Sequence, residues 1–410
     1  MKIIPHGHRA NQKKDLNRKE RRMKSIKFGC GLALALLIPA GGAYAERRET
    51  VLYSFTGQAD GSNPYAGLIE DDSGNFYGTT AEGGAAGLGA VFKLAPDGTE
   101  TVLSSFAGAD GSYPLGGLIM DKKGNLYGTT SDGGSGGDGT VFKVTAAGVR
   151  TVLHSFTGSP DGVDPNAALI MDKSGNFYGT TERGGSKGQG TVFEITPAGA
   201  ETVLYSFDAA HGNFPAGALI MDEKGALYST TQEGGSMACG GGGCGTVFKL
   251  ALKGTSWRET VLHAFQGADG VFPQAGLIMD KSGNLYGVTT ASDNGNGLVF
   301  KVTPQGDETT LWRFTGADDG AGPYAGLIMD KKGNLYGTTL LGGTGGLGTV
   351  FEVAPDGTEK VLYSFNSAVN GVDGFEPYAG LIEDESGALY GAAYGGGAHA
   401  SGAIFKITRH

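Results

Sequence analysis

Short apolar runs recur along the chain, separated by clusters of glycine, aspartate and proline. In one stretch these runs occupy residues 117–121, 125–130, 139–144 and 151–156. They are rich in Val, Ile, Thr and aromatic residues, which is typical of short β-strands. Residues 46–410 contain no apolar pattern of helical period long enough to predict a helix. The pattern therefore predicts an all-β protein.

The residues between the runs predict how the strands connect. The first two runs are joined by Asp-Lys-Lys-Gly, which fits a tight turn between antiparallel strands, and a short turn also joins the last two. A glycine loop, residues 132–138, links the second run to the third. A segment that starts with Asp-Gly and ends with Pro, such as residues 110–114, leads into each new set of runs. The unit is thus a four-stranded antiparallel meander.

This unit occurs seven times. Its marker phrase, Gly-Asn-Leu-Tyr-Gly-Thr-Thr or a close variant, places a tyrosine at Tyr77, Tyr127, Tyr178, Tyr228, Tyr286, Tyr336 and Tyr390. A period of about fifty residues indicates an array of one supersecondary unit. A repeated four-stranded meander is typical of a propeller blade.

Two features predict a closed ring of seven blades. Each first run begins at a pair of small residues, which would relieve crowding where seven inner strands converge. The pairs are Ala66-Gly67, Gly116-Gly117, Ala167-Ala168, Gly217-Ala218, Ala275-Gly276, Ala325-Gly326 and Ala379-Gly380. The array also opens with a lone fourth strand, residues 49–55, and ends with only three strands, finishing at residues 403–408. Pairing residues 51–55 with residues 404–407 would complete the last blade and leave no free sheet edge there.

The N-terminal segment has the features of a signal peptide. Lys24 and Lys27 precede an apolar run over residues 29–38, and Ala43-Tyr44-Ala45 supplies small residues for cleavage after Ala45. Two segments are therefore predicted: a signal peptide over residues 1–45, with Met23 as an alternative start, and a propeller over residues 46–410. A membrane anchor is the alternative, but the apolar run is far shorter than the roughly 20 residues that span a bilayer.

The net charge of the protein limits which partners it can bind. The chain has 32 Lys+Arg and 42 Asp+Glu, and without residues 1–45 the counts become 22 and 40, a net charge of −18. Such a surface repels phosphate backbones and anionic lipids. We therefore expect no nucleic-acid partner and no membrane insertion after cleavage, whereas cations and neutral or basic ligands remain compatible. A secreted or periplasmic monomer is expected.

Two of the three cysteines remain after cleavage. Cys239 and Cys244 lie in Cys-Gly-Gly-Gly-Gly-Cys within the longest glycine loop. In an oxidising compartment this spacing predicts a local disulfide. Zinc is the alternative, but two thiols without a neighbouring His or second Cys pair make a poor site.

The repeated phrases, Gly-Asn-Leu-Tyr-Gly-Thr-Thr, Gly-Gly, Gly-Thr-Val-Phe-Lys and Leu-Tyr-Ser-Phe, resemble the GloVer tandem repeat of bacterial exported proteins. The resemblance covers residues 49–408 in all seven copies. It implies an exported bacterial repeat protein and brings no assigned activity. Members of that family carry C-terminal anchors, whereas this sequence ends directly after the last strand, so surface anchoring is not expected.

One rim of the ring should collect the glycine loops and the Asp-Gly segments, because successive strands alternate in direction. Loops on a rigid frame commonly carry function, so a ligand is expected on this face. The repeated turn aspartates, Asp71, Asp121, Asp172, Asp222, Asp280, Asp330 and Asp384, are interpreted as turn-forming. The same interpretation is favoured for the Asp-Gly aspartates, Asp60, Asp110, Asp161, Asp269 and Asp319, with calcium binding as the alternative.

Departures from the repeat are the better site candidates, although each alone fits neutral drift. The predicted ligand-binding rim residues are Glu82, Asp132, Arg183, His211, Glu233, Glu376, Tyr394 and His399. No catalytic residue, metal site or cofactor is predicted. The sequence lacks a His-Glu-x-x-His motif.

The sequence is compatible with three functions. The leading interpretation is a binding or scaffolding propeller for an extracytoplasmic glycan, peptide or protein. The first alternative is an extracytoplasmic hydrolase or lyase acting on polysaccharide, with acid and base groups from different blades. The second is a passive structural or adhesive surface protein, which the uniformity of the blades favours. The fold itself assigns no chemistry.

Overall fold

The computed structural model describes residues 49–366 and 373–408. In this part of the chain, seven sheets of four antiparallel strands form the blades of a ring. The predicted seven-bladed β-propeller is confirmed. The predicted signal peptide lies outside the described residues.

The first strand, β1 (Glu49–Ser54), belongs to the last blade. Blade 1 contains β2 (Ile69–Glu70), β3 (Phe76–Thr80), β4 (Ala90–Leu94) and β5 (Glu100–Ser105). Blade 2 contains β6 (Ile119–Met120), β7 (Leu126–Thr130), β8 (Thr140–Val144) and β9 (Arg150–Ser155). Blade 3 contains β10 (Ile170–Met171), β11 (Phe177–Thr181), β12 (Thr191–Ile195) and β13 (Glu201–Ser206). Blade 4 contains β14 (Ile220–Met221), β15 (Leu227–Thr231), β16 (Thr246–Lys253) and β17 (Ser256–Ala264).

Blade 5 contains β18 (Ile278–Met279), β19 (Leu285–Thr289), β20 (Leu298–Val302) and β21 (Glu308–Arg313). Blade 6 contains β22 (Ile328–Met329), β23 (Leu335–Thr339), β24 (Thr349–Val353) and β25 (Glu359–Ser364). Blade 7 contains β27 (Ile382–Glu383), β28 (Leu389–Ala393), β30 (Ala403–Ile407) and β1. A two-residue pair, β26 (Gly374–Phe375) and β29 (Gly395–Gly396), and a 3-10 turn over Met237–Cys239 complete the elements.

The two ends of the chain close the ring. Strand β1 pairs antiparallel with β30, with Val51 opposite Phe405 and Ser54 opposite Ala403. The Phe55 amide continues the ladder by donating to the Gly402 carbonyl at 3.0 Å. The predicted pairing of residues 51–55 with residues 404–407 is confirmed.

A repeated pair of phenylalanines packs each blade against the next. The phenylalanine that follows each outer strand is fully buried, and its ring meets the phenylalanine of the third strand in the following blade at 5.0–5.2 Å between centroids. Six of these pairs join consecutive repeats. The seventh, Phe55 with Phe92, joins blade 7 to blade 1, so the seam has the same packing as the other interfaces.

The glycine of Tyr-Gly-Thr-Thr makes room for this packing. A Cβ on Gly337 would lie 2.6 Å from Cζ of Phe351 and 2.9 Å from Cδ2 of Leu327. In this blade the phenylalanine ring therefore occupies the space that a side chain would need. Blade 4 has Ser229 at this position, and its hydroxyl donates to the Gly217 carbonyl at 2.9 Å.

The turn aspartates have the predicted structural role. Asp330 accepts backbone hydrogen bonds from Lys332 at 2.8 Å and Asn334 at 2.9 Å, and the Tyr336 hydroxyl donates to it at 3.1 Å. These bonds fix the hairpin between the first two strands and tie it to the repeated tyrosine. The tyrosines also reach neighbouring blades, as in the contact of Tyr390 with Phe76 at 4.7 Å.

The innermost runs are shorter strands than the sequence indicated. In blade 2 the paired residues are Ile119–Met120 rather than the whole of residues 117–121. The small residues before them pack against the inner segment of the adjacent blade instead. A Cβ on Gly116 would lie 2.6 Å from the Ala167 carbonyl oxygen. The predicted crowding is therefore real, and it keeps these residues out of the strand ladder.

The predicted disulfide is also confirmed. Cys239 and Cys244 are bonded, with their Cα atoms 5.2 Å apart, in the glycine loop of blade 4. Cys244 is fully buried, so the bridge ties the long loop to the blade core.

A half-buried glutamate lies at six of the seven blade interfaces. It stands near the start of each outer strand, except in blade 2, where Arg150 replaces it. Burial, together with the charge of the nearby Asp60 and Asp319, respectively, raises the pKa of Glu100 and Glu359 to about 7. In the described residues, Oε1 of each of these two glutamates is buried without a hydrogen-bond partner. Arg150, in contrast, donates to the Ser105 carbonyl at 2.8 Å and pairs with Asp110.

These glutamates predict a pH-dependent stability. Because their folded pKa of about 7 exceeds the ordinary value of 4.5, the folded protein holds more protons between those values, and these groups lower stability as pH rises through that window. The double variant Glu100→Gln/Glu359→Gln should therefore melt a few degrees higher at pH 8, since 1 kcal/mol shifts the midpoint of a large domain by roughly 2 °C. Thermal unfolding from pH 4.5 to pH 8 measures this.

The exposed Glu385→Gln provides the matched control and should leave the pH profile unchanged. A double variant that melts at or below the wild-type temperature at pH 8 would contradict the assignment of these groups.

Candidate ligand-binding site

The glycine loops and the Asp-Gly segments lie together on one face, as predicted; we call it the loop face. In blade 1 the two connections pair through Ser62 and Glu82, and in blade 2 through Ser112 and Asp132. The Asp-Gly aspartates support these links by accepting backbone hydrogen bonds. Asp319, for example, accepts from the Thr315 amide at 2.9 Å. Among the described residues, no group of three or more His, Cys, Asp or Glu side chains is arranged to hold a metal ion.

The residue before each repeated proline has an unusual, firmly held backbone. It adopts a positive φ of 53–63° in all seven blades: Asn63, Tyr113, Asp164, Phe214, Phe272, Gly322 and Glu376. This conformation is disfavoured for bulky side chains and often marks a functional position. In blade 2 the Tyr113 amide donates to the Leu88 carbonyl, and the Tyr113 carbonyl accepts from the Ser131 amide, both at 3.0 Å. The repeat thus holds the backbone here while the side chain varies from blade to blade.

Variable side chains of this face enclose a cavity of about 550 Å³. It lies at the junction of blades 6, 7, 1 and 2. Its lining residues are Tyr65, Ala81, Glu82, Tyr113, Leu115, Ser131, Asp132, Tyr324, Leu340, Tyr378 and Tyr394. Aromatic walls with a few polar groups are typical of small-ligand sites.

Four tyrosines form one wall, and we call them the tyrosine cluster: Tyr65, Tyr324, Tyr378 and Tyr394. Tyr378 stacks on Tyr65 with centroids 4.9 Å apart and an interplanar angle of 19°. Tyr324 and Tyr394 meet Tyr378 edge to face at 5.2 and 5.4 Å. Tyr324 also meets Tyr65 edge to face, with ring centroids 6.1 Å apart. The cluster is therefore an ordered surface of aromatic faces and hydroxyl groups.

Carboxylates surround this wall. Glu82 and Asp132 are exposed lining residues, and Glu376 lies two residues before Tyr378 in the chain. Burial raises the pKa of Tyr394, and the charges of Glu82 and Glu376 raise it further. In the described ranges, no lysine or arginine lines the cavity. The cavity therefore has a negative potential.

Glu182 of blade 3 also acts on the tyrosine cluster. Its Oε2 accepts a hydrogen bond from Nδ2 of Asn166 at 2.7 Å. Burial raises the Glu182 pKa, which Arg183 partly offsets and Asp164 reinforces. The Glu182 charge in turn contributes to the raised pKa of Tyr65 and Tyr324. The charge of this buried carboxyl therefore acts on both Tyr65 and Tyr324.

The structure brings part of the predicted rim together. Glu82, Asp132 and Tyr394 line the cavity, and Glu376 adjoins it. Arg183 does not line it; Nη1 of Arg183 lies 3.6 Å from Asp164, and the side chain is 60% exposed.

The other three predicted rim residues lie elsewhere on the loop face. His211 pairs with Asp208 at 2.6 Å, Glu233 accepts from Asn213 at 3.2 Å, and the exposed His399 accepts a hydrogen bond at its carbonyl from Ser401 at 3.2 Å. Each therefore serves its own loop rather than the cavity.

Sequence reasoning missed the centre of the site. Tyr65, Tyr324 and Tyr378 each follow the repeated proline, where the other copies have Leu115, Asn166, Ala216 and Gln274. The signal was the recurrence of tyrosine in the first, sixth and seventh copies. These copies are adjacent only in a closed ring, so a comparison along the chain does not group them.

Fold and site together define a closed β-propeller with an aromatic, acidic cavity on its loop face. The model of the Gloeobacter/Verrucomicrobia repeat matches residues 37–242 and 223–410. The chain belongs to this repeat family, and the predicted resemblance is confirmed. No curated protein sequence matches the chain.

Solved structures share the fold at low identity. One is the extracellular domain of a putative hybrid two-component system from B. thetaiotaomicron, at 10% identity and a TM-score of 0.56, covering 87% of this chain and 39% of that one. Another is a putative 6-phosphogluconolactonase from Bacteroides uniformis, at 17% identity and a TM-score of 0.51, covering 81% and 89%. These similarities show the propeller fold alone. No helix in the described part of the chain has the length and apolarity needed to cross a membrane.

Proposed function

We propose that this protein is an exported binding propeller and that the cavity beside the tyrosine cluster holds its ligand, a glycan or peptide outside the cytoplasm. The single observation that carries the proposal is the convergence of Tyr65, Tyr324 and Tyr378 from three neighbouring blades. Ring packing does not require tyrosine at this position, because four blades have other residues there. A secreted or periplasmic location, indicated by residues 1–45, is part of the proposal.

The chemistry of the wall suits such ligands. Tyrosine offers a large apolar face for a sugar ring or an apolar side chain, together with a hydroxyl for hydrogen bonding, at a small cost in side-chain entropy. The locked backbone around the cavity supplies a rigid frame, so that little ordering is needed when a ligand binds.

The test is a thermal-shift screen of the exported protein against oligosaccharides and peptides. A ligand that binds the folded form raises the unfolding midpoint. Tyr378→Ala should reduce the affinity for that ligand by about 30-fold, the effect of truncating a central aromatic contact worth about 2 kcal/mol. The control is His399→Ala, on the same face but outside the cavity, which should bind like the wild type.

A ligand that binds the wild type and Tyr378→Ala equally would place the site elsewhere. Absence of any shift across the screen would favour the passive structural role.

A hydrolase acting on a polysaccharide or a lactone is the second candidate, and the observation that favours it is Glu182. Glu182 stands at the repeat position of Ala81 and Ser131, which line the cavity in blades 1 and 2, and burial raises its pKa. Such a carboxyl can act as a general acid. The printed name of the Bacteroides uniformis neighbour makes a lactone one candidate substrate, by analogy of fold alone. Turnover that disappears in Glu182→Gln while ligand binding persists would favour the enzyme over the binding module.

A further inference from the structure

We infer that the ligand of this cavity presents an ammonium cation to the tyrosine cluster. The inference rests on the proposed binding function and narrows the ligand to a chemical class, organic cations. Two sources share this chemistry: an amino sugar with a free amine and a quaternary alkylammonium compound.

Acidic side chains of successive blades surround the cavity. Glu376, Glu82 and Asp132 belong to blades 7, 1 and 2, and Asp164 and Glu182 continue the series in blade 3. Their charges act on one another and on the wall, since Asp132 affects Asp164 and both Glu82 and Glu376 affect Tyr394. Blade 4 also has an acid, Glu233, at the position of Glu82 and Asp132, but the residues on either side of its repeated proline, Phe214 and Ala216, are neutral. The carboxylates of blades 7, 1 and 2 are therefore the ones that give the cavity its negative potential.

The described residues provide no cation that balances this charge. Among the described residues, no lysine, arginine or histidine forms an ion pair with Glu82, Asp132 or Glu376. Two basic residues of blade 3 on this face, Arg183 and Lys187, pair with Asp164 and Asp208 instead. These carboxylates would therefore attract a cationic ligand and repel an anionic one.

The repeated tyrosines of the opposite face provide an internal comparison. There a lysine ammonium lies over the ring, as with Lys406 over Tyr390 at 4.8 Å and Lys249 over Tyr228 at 5.1 Å. Within the described ranges, no such cation lies over Tyr65, Tyr324, Tyr378 or Tyr394. Aromatic faces attract ammonium groups, and clusters of them recognise such ligands. No cation of the described residues therefore lies over the rings of the tyrosine cluster, and an ammonium group of a ligand can take that place.

Titration calorimetry of the exported protein with two matched pairs of probes tests the inference. One pair is choline and its uncharged carbon analogue 3,3-dimethylbutan-1-ol. The other is the β-1,4-linked trisaccharide of glucosamine and its N-acetylated counterpart. In at least one pair the cation should bind tenfold or more tightly than its neutral partner, and the pair that does so identifies the source. Its affinity should fall with added salt.

Variants show which carboxylates cause the tighter binding of the cationic probe. Glu82→Gln/Asp132→Asn should weaken binding of the cation about tenfold and leave binding of the neutral partner unchanged. Glu233→Gln, an acidic residue of the same face outside the cavity, should change neither. The melting temperatures of these variants check that each one is folded.

The outcomes separate this inference from the proposed function. Neutral probes that bind as tightly as the cations, with binding lost in Tyr378→Ala, would overturn the ammonium inference and support the binding site. Failure of all four probes at millimolar concentration would overturn the inference, while the broader oligosaccharide and peptide screen decides the binding function independently.

Discussion

A variant that begins at Thr56, and therefore lacks β1 and Phe55, is expected to lose most of its folded stability. Blade 7 would keep three strands, and β30 would expose an unpaired edge that now pairs with residues from Glu49 to Ser54. Loss of the fully buried Phe55 alone should cost about 3–5 kcal/mol. Because folded domains are typically stable by only about 5–15 kcal/mol, the unfolding midpoint should fall by roughly 10 °C or more.

A circular permutant provides the control for this deletion. Residues 49–55 are moved behind Thr408 through the short Ala-Pro-Asp-Gly turn that joins the corresponding strands of blade 1. The permutant supplies the same strand within one continuous repeat and should recover the wild-type midpoint in thermal unfolding. If the truncated variant melted within a degree or two of the wild type, ring closure by β1 would not stabilise the protein.

Phe55→Ala and Phe314→Ala are expected to destabilise the protein equally, by about 3–5 kcal/mol each. Both rings are fully buried, and both meet the phenylalanine of the next blade, Phe92 at 5.1 Å and Phe351 at 5.0 Å. Each variant leaves a cavity of similar size between two blades, so the costs should match although only Phe55 lies at the seam between the chain ends. Chemical denaturation compares the two free energies of unfolding.

The comparison also reports on the seam itself. A much smaller cost for Phe55→Ala would mean that the seam is open in part of the folded population. Phe55→Leu and Phe314→Leu, which keep most of the apolar volume, should each recover a large share of the loss.

Part of the site could be predicted from individual residues. Glu82, Asp132, Glu376 and Tyr394 were identified because they lie in the variable loops of a face that the strand order defines. The same reasoning points to His211 and His399, yet neither lines the cavity, although His399 belongs to the same blade 7 loop as Tyr394. The position of a residue within a repeat predicts on which face of the propeller its side chain lies. It does not show which blades contribute side chains to the same cavity.

The sequence by itself determined the blade, the number of blades and the way the ring closes. This information is local, because every copy has its own turn aspartate and glycine, and the incomplete first and last copies complement each other. The phenylalanine pairs and the Cys239–Cys244 bond agree with that arrangement.

Only the tertiary structure decided where the cavity lies and what lines it. Closure places the first copy next to the seventh, so Tyr65 stacks on Tyr378 although nearly the whole chain separates them. Each tyrosine by itself looks like an ordinary variation after a proline. The physical reason is that a binding surface depends on which side chains become neighbours in space, and in a ring those neighbours include the two ends of the chain.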